Sequence, residues 1–228
     1  MSPIKTFDER FSVLVGNYGS GKTELAIALA RAARGRVALV DLDIVNPYFR
    51  SAERSALLSG EGVEVFMPSF AMSTVDIPAL PAELMKVFQQ PYDRVIIDVG
   101  GDDTGAVALG GFAPAIRPVR SEMRVYYVVN ACRPFSATPE VIAEMFGLVA
   151  ARARLTPDAL VNNTNLQQQT TPEVLAQGHA IVCQAAQTLG VPVAFASGLE
   201  GMQSALPPGT PYFAFEPVML PEWMEDCP

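Results

Sequence analysis

The chain is short of the residues that build metal clusters and disulfide frameworks, with three cysteines and one histidine in 228 residues. Cys132, Cys183 and Cys227 are far apart, odd in number and without CxxC spacing. That argues against a zinc or iron–sulfur site and against an oxidised scaffold. Basic charge is also scarce. The only lysines are Lys5, Lys22 and Lys86, and the formal net charge is -8 with a pI near 4.7. Nucleic acid and anionic membrane surfaces need clustered Lys or Arg, so neither is an expected partner. No apolar run reaches the length of a membrane span, and MSPIKTFDERF lacks the basic, apolar, small-residue order of a secretory signal. The expected location is the cytoplasm.

What is present describes one globular domain. Half of the residues are apolar and 18% are charged, without a composition break or a repeat. Strand-like and helix-like segments alternate at least six times. The expected fold class is therefore α/β, a doubly wound, mostly parallel sheet with helices on both faces.

The most informative stretch is GNYGSGKT at residues 16–23. It follows the apolar run FSVLV and precedes ELAIALARAAR, which has the spacing of an amphipathic helix. Strand, glycine loop and helix, with Lys-Thr at the helix start, make a complete GxxxxGK[ST] phosphate loop. A polyphosphate must be met by backbone N–H groups at close range, which Gly16, Gly19 and Gly21 permit. Asn17, Tyr18 and Ser20 complete the ribbon. Lys22 places its ammonium against the outer phosphates, and Thr23 offers a hydroxyl to Mg²⁺.

Residues 36–45, RVALVDLDIV, read as a strand buried on both faces that ends in Asp41 and Asp43, on the same sheet edge as the phosphate loop. The two acids are candidate metal ligands, or simply cap the turn. NPYFR then leads into a helix from about residue 50 to 59, with Arg50 and Arg54 one turn apart. Residues 68–81, rich in Pro, Ser and Thr yet carrying Phe70, Met72, Val75 and Ile77, suit a switch segment or a long connection.

The second informative stretch is YDRVIIDVGGDD. Asp98 ends an apolar strand, the pattern of a carboxylate that holds Mg²⁺, and Gly100 and Gly101 let backbone approach a terminal phosphate. Asp102 and Asp103 either orient the attacking water or cap the following helix, TGAVALGGF. After a loop with Pro114 and Pro118 come strands ending at Asn130 and at Asn162–Asn163. Thr138-Pro139-Glu140 and Thr171-Pro172-Glu173 open two helices, the second closing on Gly190. His179 reads as a helix-surface residue. The last stretch, from about residue 207, is a proline-punctuated tail expected to wrap the domain through Tyr212, Phe213, Phe215 and Trp223.

Taken together, GNYGSGKT, VDLDIVNPY, IIDVGGDD and LVNNTN make the chain resemble the CobQ/MinD/ParA branch of phosphate-loop proteins, the SIMIBI class, over residues 11 to about 199. The resemblance implies metal and water-activating duty for Asp41 and Asp43, the second magnesium-site carboxylate at Asp98, and a base contact at Asn162. Members that form nucleotide-sandwich dimers carry a signature lysine where this chain has Asn17 and a glycine where it has Tyr18. Dimer-activated hydrolysis is thus not the expected mode, although a homodimer and a protein partner both remain open.

The expected function is Mg²⁺-dependent binding and hydrolysis of a nucleoside triphosphate, ATP before GTP because no NKxD string is present, in a switch or assembly factor. Lys22, Asp43 and Asp102 are the candidate catalytic residues, and Gly101 joins the phosphate contacts. Two rivals are a phosphotransferase or ligase that activates a metabolite bound near Arg50 and Arg54, and a module that holds nucleotide without cleaving it.

Overall fold

The computed structural model describes residues 9–43, 58–67 and 82–218, leaving aside the side chains of residues 82, 83 and 103. Eight strands form one sheet in which every pairing is parallel. They are β1 (Phe11–Val15), β2 (Val37–Leu42), β3 (Val63–Phe66), β4 (Arg94–Val99), β5 (Met123–Val129), β6 (Ala159–Asn162), β7 (Val193–Gly198) and β8 (Tyr212–Ala214). Their spatial order is β3-β2-β4-β1-β5-β6-β7-β8. The helices are α1 (Lys22–Ala32), α2 (Ala82–Gln89), α3 (Asp103–Gly111), α4 (Ala113–Val119), α5 (Pro139–Ala153) and α6 (Pro172–Leu189).

The central strands are apolar on both faces because both faces are covered. Phe11, Val13 and Val15 of β1 join Val95, Ile97 and Val99 of β4 on the side packed by α2 to α6. Leu14 and Ile96 point the other way, into a cluster built with α1, Val37, Leu39, Phe195 and Phe213. Strand alternation fixes where the acids go. Asp41 follows Val37 and Leu39 at intervals of two, and Asp98 follows Ile96, so both carboxylates lie on the face that α1 covers. Asp41 and Asp98 are direct register partners across β2 and β4.

Three details differ from the sequence reading. The loop assigned around Pro114 and Pro118 is helical, as α4. Pro114 falls in its first turn, where a missing N–H costs nothing, and Pro118 lies one residue from its end. His179 is buried, because it shares the inward stripe of α6 with Leu175, Gly178, Val182 and Ala186. Its Nε2 lies 3.5 Å from Cys183 Sγ, and burial lowers its pKa. The tail contains an eighth strand, β8, which pairs with β7. Phe213 and Phe215 of the tail pack as expected, whereas Trp223 lies outside the described residues. Arg50, Arg54 and residues 68–81 also lie outside them.

Candidate functional site: a phosphate loop between two strand ends

β1 sits between β4 and β5, so the loop that leaves it is flanked by the ends of both neighbours. Gly16, Gly19 and Gly21 have φ of +144°, +75° and +81°. Two of them are fixed by close approach as well as by φ. A Cβ on Gly16 would stand 2.4 Å from the Val128 carbonyl oxygen, and one on Gly21 would stand 2.4 Å from Asn163 Nδ2. Gly21 is the N-cap of α1 and provides no side chain to cap it. Helices α3, α5 and α6 are instead closed by Asp102, Thr138 and Thr171. The first N–H groups of α1 thus keep no side-chain cap at the positive end of the helix dipole, an arrangement that suits an anion.

Lys22 opens α1 and is only 6% exposed. Its Nζ donates to the Asn17 carbonyl at 3.0 Å. Desolvation lowers its pKa, opposed by the attraction of Asp98 first and then Asp43 and Asp102. Asp98 is 1% exposed, and burial raises its pKa to about 7 against the pull of Lys22. The Thr23 hydroxyl favours the charged form of Asp98, yet among the described residues no donor completes a hydrogen bond to either carboxylate oxygen. A buried acid without donors is costly, and it is the feature expected of a carboxylate that meets a cation. Asp41 accepts from the Asp43 N–H at 2.9 Å through Oδ1.

Gly100 and Gly101 follow β4, and Gly101 presses against the loop. A Cβ on Gly101 would lie 2.6 Å from the Tyr18 nitrogen and 2.8 Å from Lys22 Nζ. A Cβ on Gly100 would lie 3.3 Å from a carboxylate oxygen of both Asp43 and Asp102, so the two candidate water-orienting acids converge there. Asp102 accepts from the Gly105 N–H at 2.9 Å and caps α3.

From the sequence-predicted set, Lys22, Asp43, Asp98, Gly101 and Asp102 come together around the loop, with Asp41 in register beside Asp98. Tyr18 is 72% exposed on the loop rim. Ser20 is buried, and its hydroxyl has no hydrogen-bond partner among the described residues. Asn162 is fully buried, and its Oδ1 accepts from both the Thr164 N–H and hydroxyl. Three contacts made by the phosphate loop escaped sequence reasoning. Asn163 Nδ2 donates to the Ser20 carbonyl at 2.8 Å and its Oδ1 accepts from the Ser197 hydroxyl at 2.9 Å. Asn17 Nδ2 donates to the Phe135 carbonyl at 2.6 Å. Arg133 Nε donates to the Gly19 carbonyl at 3.2 Å. All three join residues more than 110 positions apart, and no local motif signals such pairs.

Among the described residues no group of three or more His, Cys, Asp or Glu side chains is placed to hold a metal ion. Magnesium bound to a nucleotide takes most of its oxygens from phosphate and water and needs one or two from protein, so the donor-free Asp98 beside Thr23 fits that ion.

No known protein family and no characterised protein sequence matches this chain. Solved structures do share its fold. It is similar to the signal recognition particle receptor FtsY from Elizabethkingia anophelis, at 19% identity and a TM-score of 0.54, over 86% of this chain and 59% of that one. At this identity the likeness is one of fold. The same receptor in complex with GDP is similar at 19% identity and a TM-score of 0.53, covering 86% of this chain and 59% of that one. Chloroplast FtsY from Physcomitrella patens is similar at 15% identity and 0.53, over 82% and 58%. The chain thus spans less than two thirds of the length of these structures. The likeness does not single out the CobQ/MinD/ParA branch of phosphate-loop proteins. No helix among the described residues is long and apolar enough to cross a membrane.

Proposed function

We propose that the chain binds a nucleoside triphosphate with Mg²⁺ and hydrolyses it, working as a nucleotide-dependent switch of the CobQ/MinD/ParA kind. The observation that carries this reading is the buried pair of Lys22 and Asp98 under an uncapped glycine loop. Isolated in a folded core such a pair costs stability, and an anionic ligand with its cation offsets that cost.

In this reading the backbone of residues 16–23 and the Lys22 ammonium hold the phosphates, and Thr23 and Asp98, with Asp41 behind, hold the ion. The bound ion neutralises charge that develops on the phosphate oxygens. The Gly101 backbone contacts the terminal phosphate. Asp43 orients the attacking water, since Asp102 already commits an oxygen to the α3 cap. The helix that Asp102 caps follows the Gly100–Gly101 turn directly, so loss of the terminal phosphate is transmitted to α3.

Adenine is the proposed base. Guanine presents N1–H and amino donors that a carboxylate reads best, and residues 163–169 beyond β6 (NTNLQQQ) hold amides and Leu166 but no acid. The GDP complex of FtsY supports guanine as the second reading. Titration of the protein with Mg-ATP and Mg-GTP, followed by phosphate-release assays, tests both. Turnover of ATP over GTP supports the first, the reverse supports the second, and release of neither removes the hydrolase reading.

A further inference from the structure

We propose that Arg133 is a second phosphate-binding cation of this site, supplied by the chain itself from the loop after β5; the inference rests on the nucleotide-binding reading and adds to it. A triphosphate must enter a site where Asp43, Asp98 and Asp102 all act on a single buried lysine, in a protein of net charge -8. Lys22 and one divalent ion leave that site deficient in positive charge, and like charges repel strongly in a partly dehydrated cleft.

The loop of residues 130–136 is built to bring a cation to the far side of the ribbon from those acids. Asn130 anchors it, with Oδ1 accepting from the Cys132 and Asn165 N–H groups at 3.1 and 3.3 Å and its carbonyl accepting from the Arg133 N–H at 3.0 Å. The Ala131 N–H donates to the Thr164 hydroxyl at 3.2 Å. Asn17 grips the other end through the Phe135 carbonyl. Between these two holds the Arg133 side chain runs along Gly19, whose absent Cβ would meet its Nε, Cδ and Cγ at 3.6 to 3.9 Å. Only Nε is spent, on the Gly19 carbonyl. No acid pairs with the guanidinium among the described residues, and both terminal nitrogens keep their donors. Apart from Lys22, Arg133 is the one basic side chain among them that hydrogen-bonds to residues 16–23. A planar fork with four N–H donors to spare, half-buried against a phosphate loop, matches a phosphate oxygen pair in charge and shape.

The test measures affinity for inorganic pyrophosphate and for Mg-ATP by calorimetry, in wild type, R133A, R133Q and R133K, with the ligand-free melting temperature of each. The expected result is a tenfold or greater loss for R133A with both ligands at an unchanged melting temperature, R133K lying nearer wild type than R133Q, and partial recovery of R133A in millimolar guanidinium. If R133A does not fold, the comparison of R133Q with R133K decides. R133Q binding as well as or better than R133K, or R133A within twofold of wild type, overturns the proposal. Absence of any binding by wild type would instead remove the nucleotide reading itself, which Arg133 does not carry.

Discussion

Asn163 and Ser20 stand 143 residues apart in sequence, yet the Asn163 side-chain amide donates to the Ser20 carbonyl at 2.8 Å in the middle of the phosphate loop. The same amide accepts from Ser197 on β7, so the loop is tied through one side chain to two strands beyond its own neighbours. A buried network of this kind is rigid only while every member is satisfied. Replacing Asn163 by Leu strands the Ser20 carbonyl and leaves the Ser197 hydroxyl only its longer bond to the Asn162 carbonyl at 3.4 Å, and should destabilise the fold by about 1–3 kcal/mol. Denaturant unfolding checks that figure. Asn163→Asp keeps the size but sets a carboxylate against a carbonyl, and should weaken nucleotide binding more than it lowers stability.

Asp98 gives a pH dependence of defined sign. The raised pKa of Asp98 means that the folded protein holds a proton that the unfolded chain has released between about pH 4 and about pH 7. Its contribution to ligand-free stability is therefore full below about pH 4 and is lost as pH rises towards 7. Asp98→Asn removes this slope and should melt higher than wild type at pH 8, by an amount equivalent to roughly 1–3 kcal/mol after the compensating attraction of Lys22 is allowed for. The same substitution should abolish any stimulation of nucleotide binding by Mg²⁺. Thermal melts at pH 5 and 8, with and without Mg-nucleotide, measure both effects.

Gly101 tests the coupling between the β4 turn and the phosphate loop. Its φ lies outside the left-handed region, so space alone decides, and an added methyl would lie 2.7 Å from Tyr18 Cα and 2.8 Å from Lys22 Nζ. Gly101→Ala should fold, displace the turn and cost about 1–3 kcal/mol. If Gly101 contacts a terminal phosphate, this variant loses triphosphate affinity while keeping that for the diphosphate. Equal losses for the two nucleotides would assign Gly101 to packing alone.

Much of this arrangement was legible in the chain. The phosphate loop has a fixed spacing because its geometry is local. Asp98 could be placed at a sheet edge because an apolar run ending in an acid has one solution in a parallel sheet. Thr138, Thr171 and Gly190 marked helix ends by capping chemistry that acts over three or four residues. What escaped is set by tertiary contact. Arg133 and Asn163 act on carbonyls far away in sequence. The strand at residues 212–214 is too short to show alternation, and β7 alone gives it a partner. His179 is polar in an inward stripe, so its type argued for the surface while its position decided for the core.

The central claim is that residues 16–23 capture a nucleotide through Lys22. Calorimetry of wild type and Lys22→Ala with Mg-ATP and Mg-GTP addresses it most directly. The account predicts saturable heat for wild type with at least one of the two, and an affinity at least a hundredfold weaker in Lys22→Ala. No heat from wild type at millimolar nucleotide, or equal binding by both proteins, would contradict it.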